Sequence, residues 1–228
     1  SVVDSGVIAN FQTLFNLITA IVLLPFTNLL VKIACRLVKD EEDKVEEKYP
    51  ELAVLDKKLM IAPTLALGEV TKFAITMAVT AKENLSLSLE QFKKYSSKRS
   101  EKITATEEKL DCFTDSADNY LIEMSRNIET ESDNRQRNML MQCIRDIERI
   151  GDYATNFDEM AQELHDGELK FSEGAQKELD ILGNAVQEIL RLTLEALEND
   201  SQSTARRIEP LEEVIDDMVL LLKNRHRD

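Results

Sequence analysis

Residues 144–156 of the chain run IRDIERIGDYATN. Around it Leu140, Ile144, Ile147, Ile150, Ala154, Phe157, Ala161 and Leu164 recur at intervals of three and four. That period marks one buried face of an amphipathic α-helix. Glu148 and Asp152 stand one turn apart on a common side, roughly 100–140° around from the apolar stripe. Glycine in a helix interior costs about 1 kcal/mol against alanine. Gly151 therefore implies a place where another helix or a ligand comes close. Two acids beside a missing side chain form a shallow anionic shelf.

Composition points the same way. The 228 residues include 6 Gly, 4 Pro, no Trp and 5% aromatics, with abundant Leu, Glu, Ala and Lys, which suits an all-α chain rather than a sheet protein. Net charge is −15, yet residues 1–39 carry +2, so the other 189 residues carry −17. Such an acidic surface argues against nucleic acid as a partner and suits cations. Cys35, Cys112 and Cys143 lack metal-site spacing and read as free thiols within helices. The chain begins at Ser1 without an initiator Met and is read as a fragment or processed product.

Downstream of residue 63 the periodicity predicts five helices at about 64–92, 101–127, 135–165, 173–198 and 210–225. In the second, Ile103, Leu110, Phe113, Ala117, Leu121 and Met124 share a face. Ser172 is the expected N-cap of the fourth. Leu211, Ile215, Met218 and Leu222 mark the fifth, with Pro210 as a kink or a start. Short loops make neighbours antiparallel, so bundles result.

Upstream, residues 5–31 hold no charge. Their 27 residues would make about 40 Å of helix, more than the ~30 Å hydrocarbon core requires. Lys32, Arg36 and Lys39 follow directly, which puts residues after about 40 in the cytoplasm. Domains are thus expected at 1–39 (transmembrane helix), 40–62 (charged connector) and 63–228 (helical bundle). Asn10, Thr13 and Asn16 line one side of the span and must face protein or a water-filled path.

Three carboxylate pairs share the one-turn spacing: Glu107/Asp111, Glu148/Asp152 and Glu212/Asp216. The first and third are related by a faint duplication with an offset of 105 residues. Packing the second helix on the third could bring two pairs to one groove edge, where like charges favour protonation or metal. An all-oxygen donor set suits Mg, Ca, Mn or Fe. The competing expectation is that Arg145 and Arg149 neutralise the acids. His165 and His226 read as exposed helix ends, and no catalytic constellation is present.

Glu148-Arg149-Ile150-Gly151-Asp152 resembles the motif of PhoU-type domains, and residues 140–163 are similar to that family's third helix. Upstream, Phe15-Asn16 and Leu24-Pro25-Phe26 resemble the last membrane helix of bacterial sodium–phosphate cotransporters. Leu55-Asp56-Lys57-Lys58-Leu59 and Pro63-Thr64-Leu65-Ala66-Leu67 resemble the connector joining transporter to tail. The resemblance implies antiparallel three-helix bundles, the second one helix short, with metal held by Glu107, Asp111, Glu148 and Asp152, and more weakly by Glu212 and Asp216. It implies an inner-membrane protein that meets phosphate, sodium as coupling ion, and lipid. An unpaired fifth helix would invite homodimerisation. The rival expectation is a membrane-anchored PhoU-like adaptor with no transport role.

Overall fold

Proline loses no hydrogen bond at the first position of a helix, where its amide would be unpaired anyway. Pro63 opens α1 (Pro63–Gln91) in this way. A computed structural model describes residues 12, 13, 15, 16 and 48–225. After α1 come α2 (Ser97–Met124), α3 (Glu131–Asp166), α4 (Glu173–Glu198), the single turn α5 (Gln202–Ala205) and α6 (Ile208–Arg225). The protein is 87% helical and has no strand among the described residues, an all-α fold.

Side-chain caps set the boundaries. Thr130 accepts the Asp133 amide at 3.1 Å to start α3, and Glu131 and Asp133 complement the dipole there. Ser172 accepts the Ala175 amide at 3.2 Å to start α4, as the sequence predicts. Three boundaries differ, the first being the start of α3 at Glu131 rather than about 135. α2 begins at Ser97 rather than 101, because the Gln91 side chain accepts the Ser96 amide at 2.9 Å and fixes the preceding turn. Pro210 does not open α6. It is the third residue of the helix, within the first turn whose amides have no intrahelical partner.

The core is built where α1, α2 and α3 meet. Phe73 and Phe113 pack with ring centroids 5.0 Å apart, and Leu67, Met77, Ile103, Leu110, Leu121 and Ile144 are likewise fully buried. All six apolar residues expected on one face of α2 are buried. Along α3, Leu140, Ile144, Ile147, Ala154 and Ala161 are buried, whereas Ile150, Phe157 and Leu164 are half-buried. Because α1 packs against α2, α3 and α4, it is apolar on several sides. It is the one described helix long and apolar enough to cross a membrane, and it carries buried Asn84, Ser88 and Gln91.

The chain divides into two compact units, Ser1–Pro50 and Glu51–Asp228. In the first, Thr13 and Asn16 are helical and exposed. Asn10, Cys35 and most of the expected span at 1–39 lie outside the described residues, as does His226. The second unit takes in residues 51–62, which the charge pattern reads as part of a solvated connector. They form two 3-10 turns, Pro50–Val54 and Lys57–Ile61. Leu52 and Met60 are buried, the Tyr120 hydroxyl donates to the Asp56 carbonyl at 3.0 Å, and Asn127 donates to the Met60 carbonyl at 3.0 Å. Apolar anchors inside a charged segment thus seat it on the bundle.

Beyond α3 the packing thins. α6 lies against α4, with Leu211, Ile215, Met218 and Leu222 half-buried and no residue fully buried. Val214, Leu220 and Leu221 remain exposed.

Candidate metal centre

Gly151 sets the approach of two helices. A Cβ placed on it would lie 2.9 Å from Leu110 Cδ1, and Gly151 itself is buried. The expected close neighbour is therefore α2, and its arrival places the acids of one helix beside those of the other.

Glu107, Asp111 and Asp152 each offer a carboxylate oxygen, and those oxygens all lie within 4.8 Å of one another. Three oxygens within that span are close enough for one hard cation, with metal–oxygen distances of about 2.0–2.6 Å, to reach them all, and the group has no His or Cys that would favour a softer metal. Glu148 is half-buried one turn before Asp152 and feels the charges of Asp152, Asp111, Asp115 and Asp118.

The electrostatics record the crowding. Burial, the charge of Asp111 and a hydrogen bond with Asp111, followed by the charges of Asp152 and Glu108, lift the Glu107 carboxyl to about 7. Glu148 is raised above the ordinary carboxylate range, first by burial and then by its acidic neighbours. Carboxyls shift upward when ionisation would add charge to an already negative site.

The expected neutralisers bind elsewhere. Arg145 reaches Asp118 at 3.3 Å and Arg149 reaches Asp146 at 3.6 Å. Glu107, Asp111, Glu148 and Asp152 have no ion pair among the described residues. Asp115 and Asp118 extend the acidic row by one and nearly two further turns along α2. Their offsets of four and seven from Asp111 carry that signal in the sequence, although the pair spacing alone passes over them.

The third pair does not join. Glu212 and Asp216 are exposed on α6, and neither belongs to the converging group. Cys112 and Cys143 are half-buried, and neither belongs to the acidic group. His165 is exposed at the end of α3 but not idle, since its ring stacks on Tyr95 with centroids 4.8 Å apart.

The molecule is thus an all-α bundle with carboxylates converging across a glycine-spaced helix seam. The family model of the PhoU domain matches residues 74–161, a span from within α1 to within α3. The segment is thus similar to a regulatory helical module, a likeness that points to a phosphate-related regulatory role. No curated protein and no solved structure matches the chain.

Proposed function

We propose that residues 51–228 are the cytoplasmic regulatory tail of a sodium-dependent phosphate transporter of the inner membrane, and that the tail responds to a divalent or trivalent cation. The convergence of Glu107, Asp111 and Asp152 carries the metal half of this reading. The PhoU domain at 74–161 supports the phosphate half. The 27 uncharged residues at 5–31, followed by Lys32, Arg36 and Lys39, support membrane attachment.

A hard cation such as Mg, Ca, Mn or Fe would supply positive charge to a seam that otherwise repels itself. Glu107 and Asp111 hold the α2 side of the seam, Asp152 the α3 side, and Glu148 stands ready as a fourth oxygen donor. With the acids unpaired, their repulsion weighs against close α2–α3 packing. With their charge balanced, the same contact tightens. The change is small in distance but bears on the helix pair that Leu110 and Gly151 lock together.

Asn10, Thr13 and Asn16 would line the transporter side of the last span, with sodium and phosphate bound by segments upstream of Ser1. Sodium-dependent phosphate uptake in cells carrying the full-length protein tests the whole reading. Replacing Asp111 and Asp152 by Asn should alter the dependence of uptake on external phosphate without abolishing expression. Replacing Asn10, Thr13 and Asn16 by Leu should reduce uptake itself. Uptake unchanged by both sets removes the transporter assignment.

A further inference from the structure

On a chain of net charge −15, one groove is basic. It has a volume of about 740 Å³ and is formed by the α1–α2 turn, the end of α3, the α3–α4 loop and the start of α4. Lys93, Lys94, Lys170 and Lys177 line it against the single acid Glu173. Lys93 pairs with Asp180 at 3.1 Å. Lys94, Lys170 and Lys177 are exposed and form no ion pair among the described residues.

Solvated lysines past helix C-termini complement the helix dipole and need no ligand. Lys94 and Lys170 fit that description. Lys177 does not, because it stands in the second turn of α4, near the end where helix electrostatics give a cation no advantage. The groove also has aromatic rings in its wall. Tyr95 and His165 are stacked at an interplanar angle of 24°, and Phe92 and Phe171 pack with centroids 6.2 Å apart.

The turn carrying Lys93, Lys94 and Tyr95 is held from beneath by a buried carboxylate. Asp158 is 4% exposed and accepts from Gln91 and Ser100, each at 2.5 Å. The Gln91 carbonyl oxygen in turn accepts from the Ser96 amide and Arg99, each at 2.9 Å, and Arg99 donates to the Lys94 carbonyl at 2.8 Å. A buried acid is costly unless fully hydrogen-bonded, and here its bonds fix the lysine-bearing turn. Asp152 lies thirteen residues before His165 on α3, about 20 Å at the helical rise, so the groove is separate from the acidic seam.

We propose that this groove binds a nucleotide. Its volume falls in the roughly 300–1,000 Å³ range of small-molecule sites. The phosphates lie among Lys94, Lys170 and Lys177, and the base lies on the Tyr95–His165 face. Three lysines without ion pairs on an acidic chain select the phosphates, and stacked rings select the base, since every base offers a π-face.

The test is fluorescence titration of the full chain with mant-ATP in metal-free buffer containing EDTA, which keeps cation-bridged binding at the acidic seam out of the signal. Saturable binding is expected, with a dissociation constant at or below about 100 µM. Lys94→Gln, Lys170→Gln and Lys177→Gln together should weaken it at least about tenfold. Tyr95→Ala should weaken it about fivefold or more, and Lys72→Gln, on the distant part of α1, should leave it unchanged. Unlabelled ATP should displace the probe at concentrations where inorganic phosphate does not. Absence of saturable binding, a lysine variant that binds like the parent, or displacement by phosphate as effective as by ATP overturns the proposal. Displacement by single-stranded RNA more effective, per nucleotide, than by ATP also overturns it in favour of a polymer site.

Discussion

Leu110 and Gly151 meet so closely that a methyl group on Gly151 would come within 2.9 Å of the leucine's Cδ1. Leu110 is fully buried and has little room to retreat. This contact fixes the seam in which Asp111, next to Leu110, and Asp152, next to Gly151, come within ligand distance of each other.

Gly151→Ala sets two effects against each other. Alanine gains about 1 kcal/mol of helix propensity, whereas overpacking a filled core costs about 1–3 kcal/mol. Net destabilisation of up to about 2 kcal/mol is expected by urea unfolding. In a Leu110→Ala background the clash is gone, and Gly151→Ala should become stabilising by about 1 kcal/mol. If Gly151→Ala destabilises both backgrounds equally, the two residues are not in contact.

The acidic seam predicts a pH dependence with a definite sign. Glu107 has a folded-state pKa raised to about 7, so the folded state holds its proton more tightly than the unfolded chain does. Stability is therefore favoured at low pH and declines as pH rises from about 4.5 to about 7. Water screens a group this accessible, so the decline should be about 1 kcal/mol. Thermal unfolding in EDTA measures it. Glu107→Gln should flatten the profile, raising stability near neutrality and leaving it unchanged near pH 4. A wild-type profile that rises over this window contradicts the crowding.

Asp158 is a buried acid with a structural task. Asp158→Ala leaves Gln91 and Ser100 without their acceptor, a loss of about 2–4 kcal/mol. The turn at 92–96 should loosen with it, so limited trypsin digestion should cut after Lys93 or Lys94 faster than in the parent. Unchanged cleavage together with lost stability would show that the turn is held by other contacts.

Much of this fold was legible in the three-and-four spacing, because helix faces that must be buried write their period into the chain. The stripes on α2 and α3 and the bounds of α4 follow directly. The glycine signal at 151 was readable for the same reason, since a missing side chain inside a helix has few uses. Three features were not. Residues 51–62 look charged, and only two buried residues, Leu52 and Met60, seat them on the bundle. Arg145 and Arg149 stand beside Glu148 in sequence, yet their reach toward Asp118 and Asp146 depends on rotamers and on the helix opposite. The basic groove gathers lysines from three separate segments, a juxtaposition that no local pattern contains. Glu212 and Asp216 show the reverse lesson: a repeated spacing without an opposing acidic helix gathers nothing.

Manganese binding to the purified chain probes the α2–α3 carboxylates themselves. In a titration followed by electron paramagnetic resonance, wild type should retain Mn²⁺ at a site that Asp111→Asn with Asp152→Asn removes, weakening affinity at least about tenfold. Glu212→Gln with Asp216→Asn should bind like the parent. Equal Mn²⁺ stoichiometry and affinity in wild type and in the Asp111/Asp152 variant would contradict a metal site at the α2–α3 seam.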